Sequence, residues 1–400
     1  MASTTIQDRF RAGAEALPVP SESDFTSRLR SPAVASRVGL WLGIAFTVCF
    51  LTGLLSHWAQ IPTPAVPFPS EPYWGYRVTQ GLHVITGTAA VPLLLVKLWA
   101  VYPKLFAKVP FGNRRALVVE GLERVSILVL VAGAIFLLVS GLFNTTRYYP
   151  WSFSFRPTHY AAAWVTIGAL VVHIAVKLPI IRDTLTSDVD DTSHDRPSAT
   201  QQGVLSRRGL LRTTWAAVGV AVLATAGSTV PFLRQVSVLA VRTGDGPQGV
   251  PINRTAEAAQ VTREDGDASW TLGLVSADGV RTSWSRTDLE AMTQRTESLP
   301  IACVEGWSAG ADWTGVRLRD LLDEAGIPRG TDLRMVSLQR RFAFGVTILP
   351  ANFADDDQTL IALRLNGEEL ALDHGYPARL IAPNRPGVLQ TKWLTTVEAL

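Results

Sequence analysis

Five stretches of the chain are long and apolar enough to cross a bilayer core of about 30 Å, which takes roughly 20 helical residues. They are Val38–Trp58, Val78–Val96, Val125–Phe143, His159–Val176 with an extension to about Ile181, and Thr213–Leu233. A buried core helix is the alternative for any one of them, but five within 200 residues leave little room for it. The pattern therefore predicts a membrane all-α helical bundle of four spans plus a fifth anchoring helix. From Gln235 onward it changes to short apolar runs separated by Gly, Asp and Pro, the mark of a mixed α+β domain of about 160 residues. Candidate strands there are Trp270–Val275, Met335–Leu338 and Arg379–Ala382. Leu318–Ala325, apolar at 318, 321, 322 and 325 and followed by Gly326-Ile327-Pro328, reads as a short amphipathic helix.

The polar stretches complete the organisation. Residues 1–35 form an irregular amino-terminal segment, 36–182 the four-span domain, and 183–206 a flexible linker rich in Asp, Ser, Thr, Gln and Pro. Residues 207–233 hold the fifth helix and 234–400 the α+β domain.

Charge gives these parts an orientation. The formal net charge of +3 conceals 20 Lys and Arg against 12 Asp and Glu in residues 1–233, and 17 against 22 in residues 234–400. Residues 1–37, 97–124 and 177–212 together hold seventeen Lys and Arg, whereas the intervening loops 59–77 and 144–157 hold three. By the positive-inside rule the seventeen are cytoplasmic, so the amino terminus is inside and residues 234–400 emerge outside a bacterial cell membrane. The basic half is thus a membrane half and not a nucleic-acid arm. With 18% charged residues, 47% apolar residues and two cysteines, the chain is neither disordered nor a disulfide scaffold.

The linker ends in Ser206-Arg207-Arg208-Gly209-Leu210-Leu211-Arg212, just before a span of moderate hydrophobicity. This run resembles the twin-arginine export signal, which implies export machinery as a partner during biogenesis and a cofactor loaded before export. A set of positive-inside anchors is the alternative. Four histidines lie in or at the edge of the spans: His57, His83, His159 and His173. Ionisable groups inside a bilayer face the bundle interior, and each is a functional candidate. His159 and His173 are fourteen residues apart, about 3.9 turns and 21 Å of rise, on one face at different depths. His83 and His159 lie near one level and can meet across the bundle. Two imidazoles make a six-coordinate, electron-transferring haem iron.

Residues 36–182 resemble the cytochrome b subunits of formate dehydrogenases and nickel-iron hydrogenases. His83, His159 and His173 match three of that family's ligands, and Thr52-Gly53-Leu54 fits its first span. The entry Arg37-Val38-Gly39-Leu40 carries no histidine where the family has its fourth. The resemblance implies one outer haem b on His83 and His159, with an inner haem left open because His173 has no partner at its depth. His57 is either an alternative ligand or an interfacial imidazole.

Two residues stand out in the α+β domain. Cys303 is its one cysteine, on a side that is oxidising, so it is buried, metal-bound or catalytic. Lys392 is the one lysine among 17 basic residues, which suits a phosphate or charged ligand atom or arises by chance. Three blocks then resemble the molybdenum-cofactor domain of the sulfite oxidase family over roughly 250–400: Cys303-Val304-Glu305-Gly306-Trp307-Ser308 with Trp313-Thr314-Gly315-Val316-Arg317-Leu318; Leu365-Asn366-Gly367-Glu368 to Asp373-His374-Gly375-Tyr376-Pro377-Ala378-Arg379-Leu380; and Lys392-Trp393. The resemblance implies a molybdenum–molybdopterin cofactor, with Cys303 as a metal ligand and His374, Arg379, Lys392 and Asn253 around the pterin and its phosphate. His374 and Arg379 as loop-bracing residues are the alternative.

Two departures mark the chain off from true sulfite oxidases. No immunoglobulin-like dimerisation domain follows Lys392-Trp393, and Val304-Glu305-Gly306-Trp307 replaces their Ala-Gly-Asn-Arg type of run. Both imply a likeness to single-domain extracytoplasmic reductases such as methionine sulfoxide reductase, here fused to its haem partner. The expectation is a membrane oxidoreductase exchanging electrons with a quinol, in the reductase direction, on a small or peptide-bound oxo-transfer substrate. Sulfite oxidation, and a haem-free anchored binding or assembly protein, are the alternatives.

Overall fold

The computed structural model describes residues 20–107, 114–240, 246–267, 269–341 and 343–400. Residues 1–19 of the expected amino-terminal segment and 241–245 of the expected α+β domain lie outside them. Two compact units are present. One comprises Met1–Ile44, Ala90–Ala134 and Val165–Gly219; the other comprises Ala45–Ala89, Ile135–Trp164 and Val220–Leu400.

Among the described residues, five helices are long and apolar enough to cross a membrane: α1 (Pro32–Ala59), α2 (Gly75–Val101), α3 (Arg114–Thr146), α4 (Phe155–Thr186) and α5 (Arg207–Thr225). The first four contain the expected spans and run past them at both ends. The fifth differs: it starts at Arg207 rather than Thr213 and stops at Thr225 rather than Leu233. Ser206 accepts the Gly209 N–H at 3.0 Å, capping a first turn made of the arginine pair. Beyond Thr225 the chain tightens into short 3-10 turns, Ala226–Ser228 and Pro231–Leu233, and Pro231 has no N–H with which to continue a helix.

In the first unit, the segment expected to be a flexible linker is instead pinned. Arg207 is buried and donates to the carbonyls of Arg28 (3.2 Å), Val189 (3.1 Å) and Asp191 (2.7 Å), and it pairs with Asp195. Arg208 pairs with Asp188 at 2.8 Å and Asp190 at 3.0 Å. Few apolar side chains were needed, because two guanidiniums gather the segment's own carbonyls and carboxylates.

In the second unit, residues 256–400 fold as two sheets with short helices α6 (Ala256–Ala259), α7 (Arg286–Ala291), α8 (Leu318–Glu324) and α9 (Ala351–Ala354). The strands are β1 (Thr271–Val275), β2 (Arg281–Ser285), β3 (Gln294–Ala302), β4 (Ser308–Arg317), β5 (Leu333–Ser337), β6 (Val346–Leu349), β7 (Leu360–Leu365), β8 (Glu368–Glu369), β9 (Arg379–Ile381) and β10 (Leu394–Ala399). One sheet has the order β2-β1-β10-β5-β6, with β1 and β10 parallel and its other pairs antiparallel. The other has the antiparallel order β3-β4-β7, with β8 and β9 both on β7. The expected strands fall on β1, β5 and β9, and the expected helix falls on α8.

Strand β7 is buried on both faces, as a strand reading Leu-Ile-Ala-Leu should be. Ile361 and Leu363 join the core of Leu272, Leu274, Met335 and Leu394, while Leu360 and Ala362 join that of Leu299, Ile301 and Trp313. The first core also takes in Phe68 and Tyr76, from the connection between α1 and α2 and the start of α2.

The β4–β7 register shifts between Thr314 and Gly315. A Cβ on Gly315 would lie 2.0 Å from the Ile361 carbonyl oxygen, so only glycine permits this approach. Gly315→Ala is therefore expected to destabilise the chain by about 1–3 kcal/mol or more. Thermal unfolding of the detergent-solubilised full chain should show a midpoint several degrees lower, and an unchanged midpoint would refute the constraint.

Candidate active site at the Cys303 loop

The strands β3 and β4 pair down to Ala302 and Ser308, and the five residues Cys303–Trp307 close the hairpin. The Cys303 N–H donates to the Trp307 carbonyl (2.9 Å) and the Gly306 N–H to the Cys303 carbonyl (3.0 Å). Gly306 has φ +83°, a left-handed conformation that favours glycine, and a Cβ there would lie 2.9 Å from the Val84 side chain. The Cys303 side chain is buried at the strand end.

The outward-facing polar groups of this loop are met by helix ends of the same unit. Asn144 Nδ2, in the last turn of α3, donates to the Val304 carbonyl at 2.9 Å, and the Thr229 hydroxyl donates to the Gly306 carbonyl. Glu305 accepts from Trp307 Nε1 at 3.1 Å and pairs with Arg147 at 3.2 Å. Arg147 itself ends α3 in the left-handed region, at φ 54°. A second clamp lies at Asn384, which accepts the Tyr76 N–H (2.5 Å) and donates to the Pro69 carbonyl (2.8 Å).

Beside the thiol lies a cleft of about 740 Å³. Asn253, Arg254, Lys392 and Trp393 line it from the α+β domain; His57, Asn144, Tyr149, Phe155 and Arg156 line it from the helix ends. Of the expected site residues, Cys303, Asn253, Lys392 and His57 thus share one space. Lys392 Nζ donates to the Arg254 carbonyl (2.8 Å) and the Asp373 carbonyl (2.7 Å), and burial first, then Arg379, pushes its pKa well below the usual lysine range.

His374 and Arg379 are not on the cleft wall. They lie near Lys392: a Cβ on Gly375, which sits at φ +113°, would lie 3.1 Å from the Lys392 Cα and 3.3 Å from the Arg379 Cβ. His374 Nε2 donates to the Pro247 carbonyl at 2.8 Å, and burial followed by Arg379 lowers its pKa to about 4, so it is neutral. Arg379 Nη1 donates to the His374 carbonyl at 3.1 Å, and its guanidinium lies 5.0 Å from the Trp313 ring centroid. Its Nε and Nη2 are buried with no partner among the described residues, and burial pushes its pKa down to about 9. Each unmet buried donor costs about 1–3 kcal/mol, so these groups fit a phosphate or other anion brought by a ligand. A single soft thiolate fits a metal whose other ligands come from a dithiolene.

The histidines of the helices divide. The rings of His83 and His159 are 6.4 Å apart, centroid to centroid. His83 Nδ1 lies 3.0 Å from the Cys49 carbonyl and 3.1 Å from the Thr52 hydroxyl; a carbonyl can only accept, so Nδ1 carries the proton. His159 Nδ1 lies 3.1 Å from Ser140 Oγ, whose own proton goes to the Leu137 carbonyl. Both Nε2 lone pairs are thereby left for a ligand. His57 instead stacks on Tyr160, with centroids 3.9 Å apart, and His173 belongs to the other unit.

Sequence reasoning missed Asn144, Thr229, Arg254 and Arg156. Arg254 adjoins Asn253 and was within reach of the motif. The other three look like ordinary helix-end or interface residues until the loop lands on them.

A family model for the oxidoreductase molybdopterin binding domain matches residues 258–400. Sulfite oxidase of Drosophila melanogaster is 33% identical over 120 residues, which are 26% of this chain and 20% of that protein. Sulfite oxidase of Arabidopsis thaliana is 30% identical over 114 residues, 24% and 29% of the two chains. The oxidoreductase YuiH of Bacillus subtilis is 29% identical over 112 residues, 28% and 55%. The chain thus spans between a fifth and about half of the length of these relatives. The sulfane dehydrogenase SoxCD structure from Paracoccus pantotrophus matches at 24% identity and TM-score 0.30, over 33% of this chain and 38% of that one. The carboxy-terminal domain that carries the Cys303 loop is a molybdopterin-binding oxidoreductase domain of sulfite oxidase type.

Proposed function

We propose that the chain is a membrane-bound, molybdopterin-dependent oxidoreductase that couples a membrane quinol to oxo transfer at the Cys303 site, by way of one haem b held by His83 and His159. The observation that carries this reading lies on α3. Ser140 holds the His159 imidazole, and Asn144, one turn later, holds the carbonyl next to Cys303. Two imidazoles ligating one metal at about 2 Å each bring their centroids to about 6 Å, and 6.4 Å fits such a pair. Holding each Nδ1 fixes the tautomer and ring orientation, as outer-shell partners of metal-bound histidines do.

A bound molybdopterin supplies two-electron oxo transfer, and a bound haem b supplies one-electron exchange with the quinol. The chain's own residues bind and orient. Cys303 would ligate the molybdenum through sulfur. Arg379 and Lys392 would meet the pterin's phosphate with Asn253 beside it, and His374, anchored on Pro247, positions the carbonyl that holds Arg379. Tyr149 and Phe155 line the cleft from the helix ends.

The α+β domain shares a unit with the helix ends whose connections are poor in Lys and Arg. This supports a multi-pass protein of the bacterial cell membrane, with lipid around α1–α5, a cytoplasmic amino terminus and an outer catalytic domain. Export machinery would read Arg207-Arg208 before residues 183–206 fold onto the pair. The likeness of Val304-Glu305-Gly306-Trp307 to the run found in single-domain reductases supports the reductase direction, with a sulfoxide-type substrate. Sulfite oxidation is the second reading, favoured by the names of the relatives.

Metal analysis of the membrane-extracted chain should find roughly one molybdenum per chain. Cys303→Ser should abolish turnover and leave the haem spectrum intact; persistent turnover would remove the thiol from the chemistry. His83→Ala and His159→Ala should each remove the six-coordinate haem spectrum without lowering the molybdenum content. An alkaline pyridine spectrum without haem in the unaltered protein would sink the electron-transfer half of the proposal.

A further inference from the structure

The cleft beside Cys303 has walls of two origins, both within the second unit. The wall from the α+β domain brings Asn253, Arg254 and Lys392; the wall from the helix ends brings Arg156 and His57. The charges on the two walls are not equally committed. Lys392 is held by two carbonyls, and Glu305, an acid on the cleft, is taken by Arg147 and Trp307. Arg156 is exposed into the cleft and lies 5.5 Å from the Phe344 ring centroid. Among the described residues no carboxylate pairs with it. His57 is stacked on Tyr160, and its imidazole makes no hydrogen bond among the described residues.

A guanidinium steadied over an aromatic face with its N–H fork unengaged is built to meet a planar carboxylate or an oxyanion. The phosphate of the pterin does not require it, because the functional reading above gives that group the buried donors of Arg379, with Lys392 beside them. We propose that Arg156, with His57 on the same wall, is the substrate anchor. It binds a carboxylate or oxyanion on the molecule whose oxo group is exchanged at Cys303. This deepens the functional reading above and rests on it. The substrate class is then an oxo compound, a sulfoxide included, that carries a carboxylate or other anionic group beside its exchangeable oxygen, and the helices, not the α+β domain alone, set its selection. Arg156 acts by binding, so its loss raises KM far more than it lowers kcat.

A lipid phosphate offers the same chemistry from the bilayer side, and the test separates the two sources. The probe is inorganic sulfate, titrated calorimetrically into the full chain in detergent. The unaltered protein is expected to bind sulfate. Arg156→Gln should weaken binding by about tenfold or more, the worth of a charge-assisted fork, with the unfolding midpoint unchanged. Arg156→Lys should recover part of the loss, and added phosphatidylglycerol should not displace the sulfate. Equal affinity in the unaltered and Arg156→Gln proteins, binding by neither, or displacement by phosphatidylglycerol would each overturn the assignment. Molybdenum and haem are measured on the same samples. Full loading with sulfate binding indifferent to Arg156 defeats this inference alone, whereas a preparation that never loads either group defeats the functional reading.

Discussion

Everything at the candidate site hangs on the backbone of one hairpin loop. Between Ala302 and Ser308 the chain must turn in five residues, and in doing so it leaves the Val304 and Gly306 carbonyls without strand partners. An unmet buried carbonyl is expensive, so the loop is stable only where donors cover it. Asn144 and Thr229 are those donors. Because they grip main-chain atoms, they fix the loop backbone that carries Cys303 to the helix ends. Gly306 is the hinge of this arrangement, needed both for its positive φ and for its contact with Val84, the residue after His83.

Electrostatics separate what the domain uses for folding from what it keeps for a ligand. Arg319 and Arg379 are equally buried, at 1% exposure. Arg319 is neutralised by Asp323 at 2.9 Å and Asp355 at 2.8 Å, as a buried ion in a structural role must be. Arg379 has a carbonyl and an aromatic face but no carboxylate, and two of its nitrogens meet nothing among the described residues. Lys392 and neutral His374 lie beside it. A fold that pairs one buried arginine with carboxylates and leaves another with two bare nitrogens presents, in the second, a group that fits an anion from outside the chain.

The features legible in the sequence were those fixed by local pattern. Span length gave α1 to α4, short apolar runs between Gly, Asp and Pro gave β1, β5 and β9, and an ionisable side chain inside an apolar run singled out His83 and His159, whose ring centroids lie 6.4 Å apart. Cys303 was legible through its motif. What escaped was what depends on docking. Asn144 reads as a helix-end residue and Arg156 as an interface cation, and only the arrival of the loop and cleft gives them work. The segment 183–206 has the composition of a flexible linker, yet Arg207 and Arg208 order it through carbonyls that any sequence possesses. The fifth helix began earlier than hydropathy suggested because a serine cap outweighs the charge of the arginines it precedes.

The two parts of the site are coupled by geometry more than by covalent connection. A flexible tether sets only an effective concentration, leaving orientation free. Here α3 carries Ser140 and Asn144 at positions i and i+4, so one face of one helix orients both the His159 imidazole and the loop of Cys303. The Val84 contact repeats the link from α2, immediately after His83. A displacement of the loop would therefore disturb the packing beside both histidines, and a tilt of α3 would move His159 and Cys303 together. An imidazole and a loop held from one rigid element keep a fixed separation, and that constancy is what a tether alone could not give them.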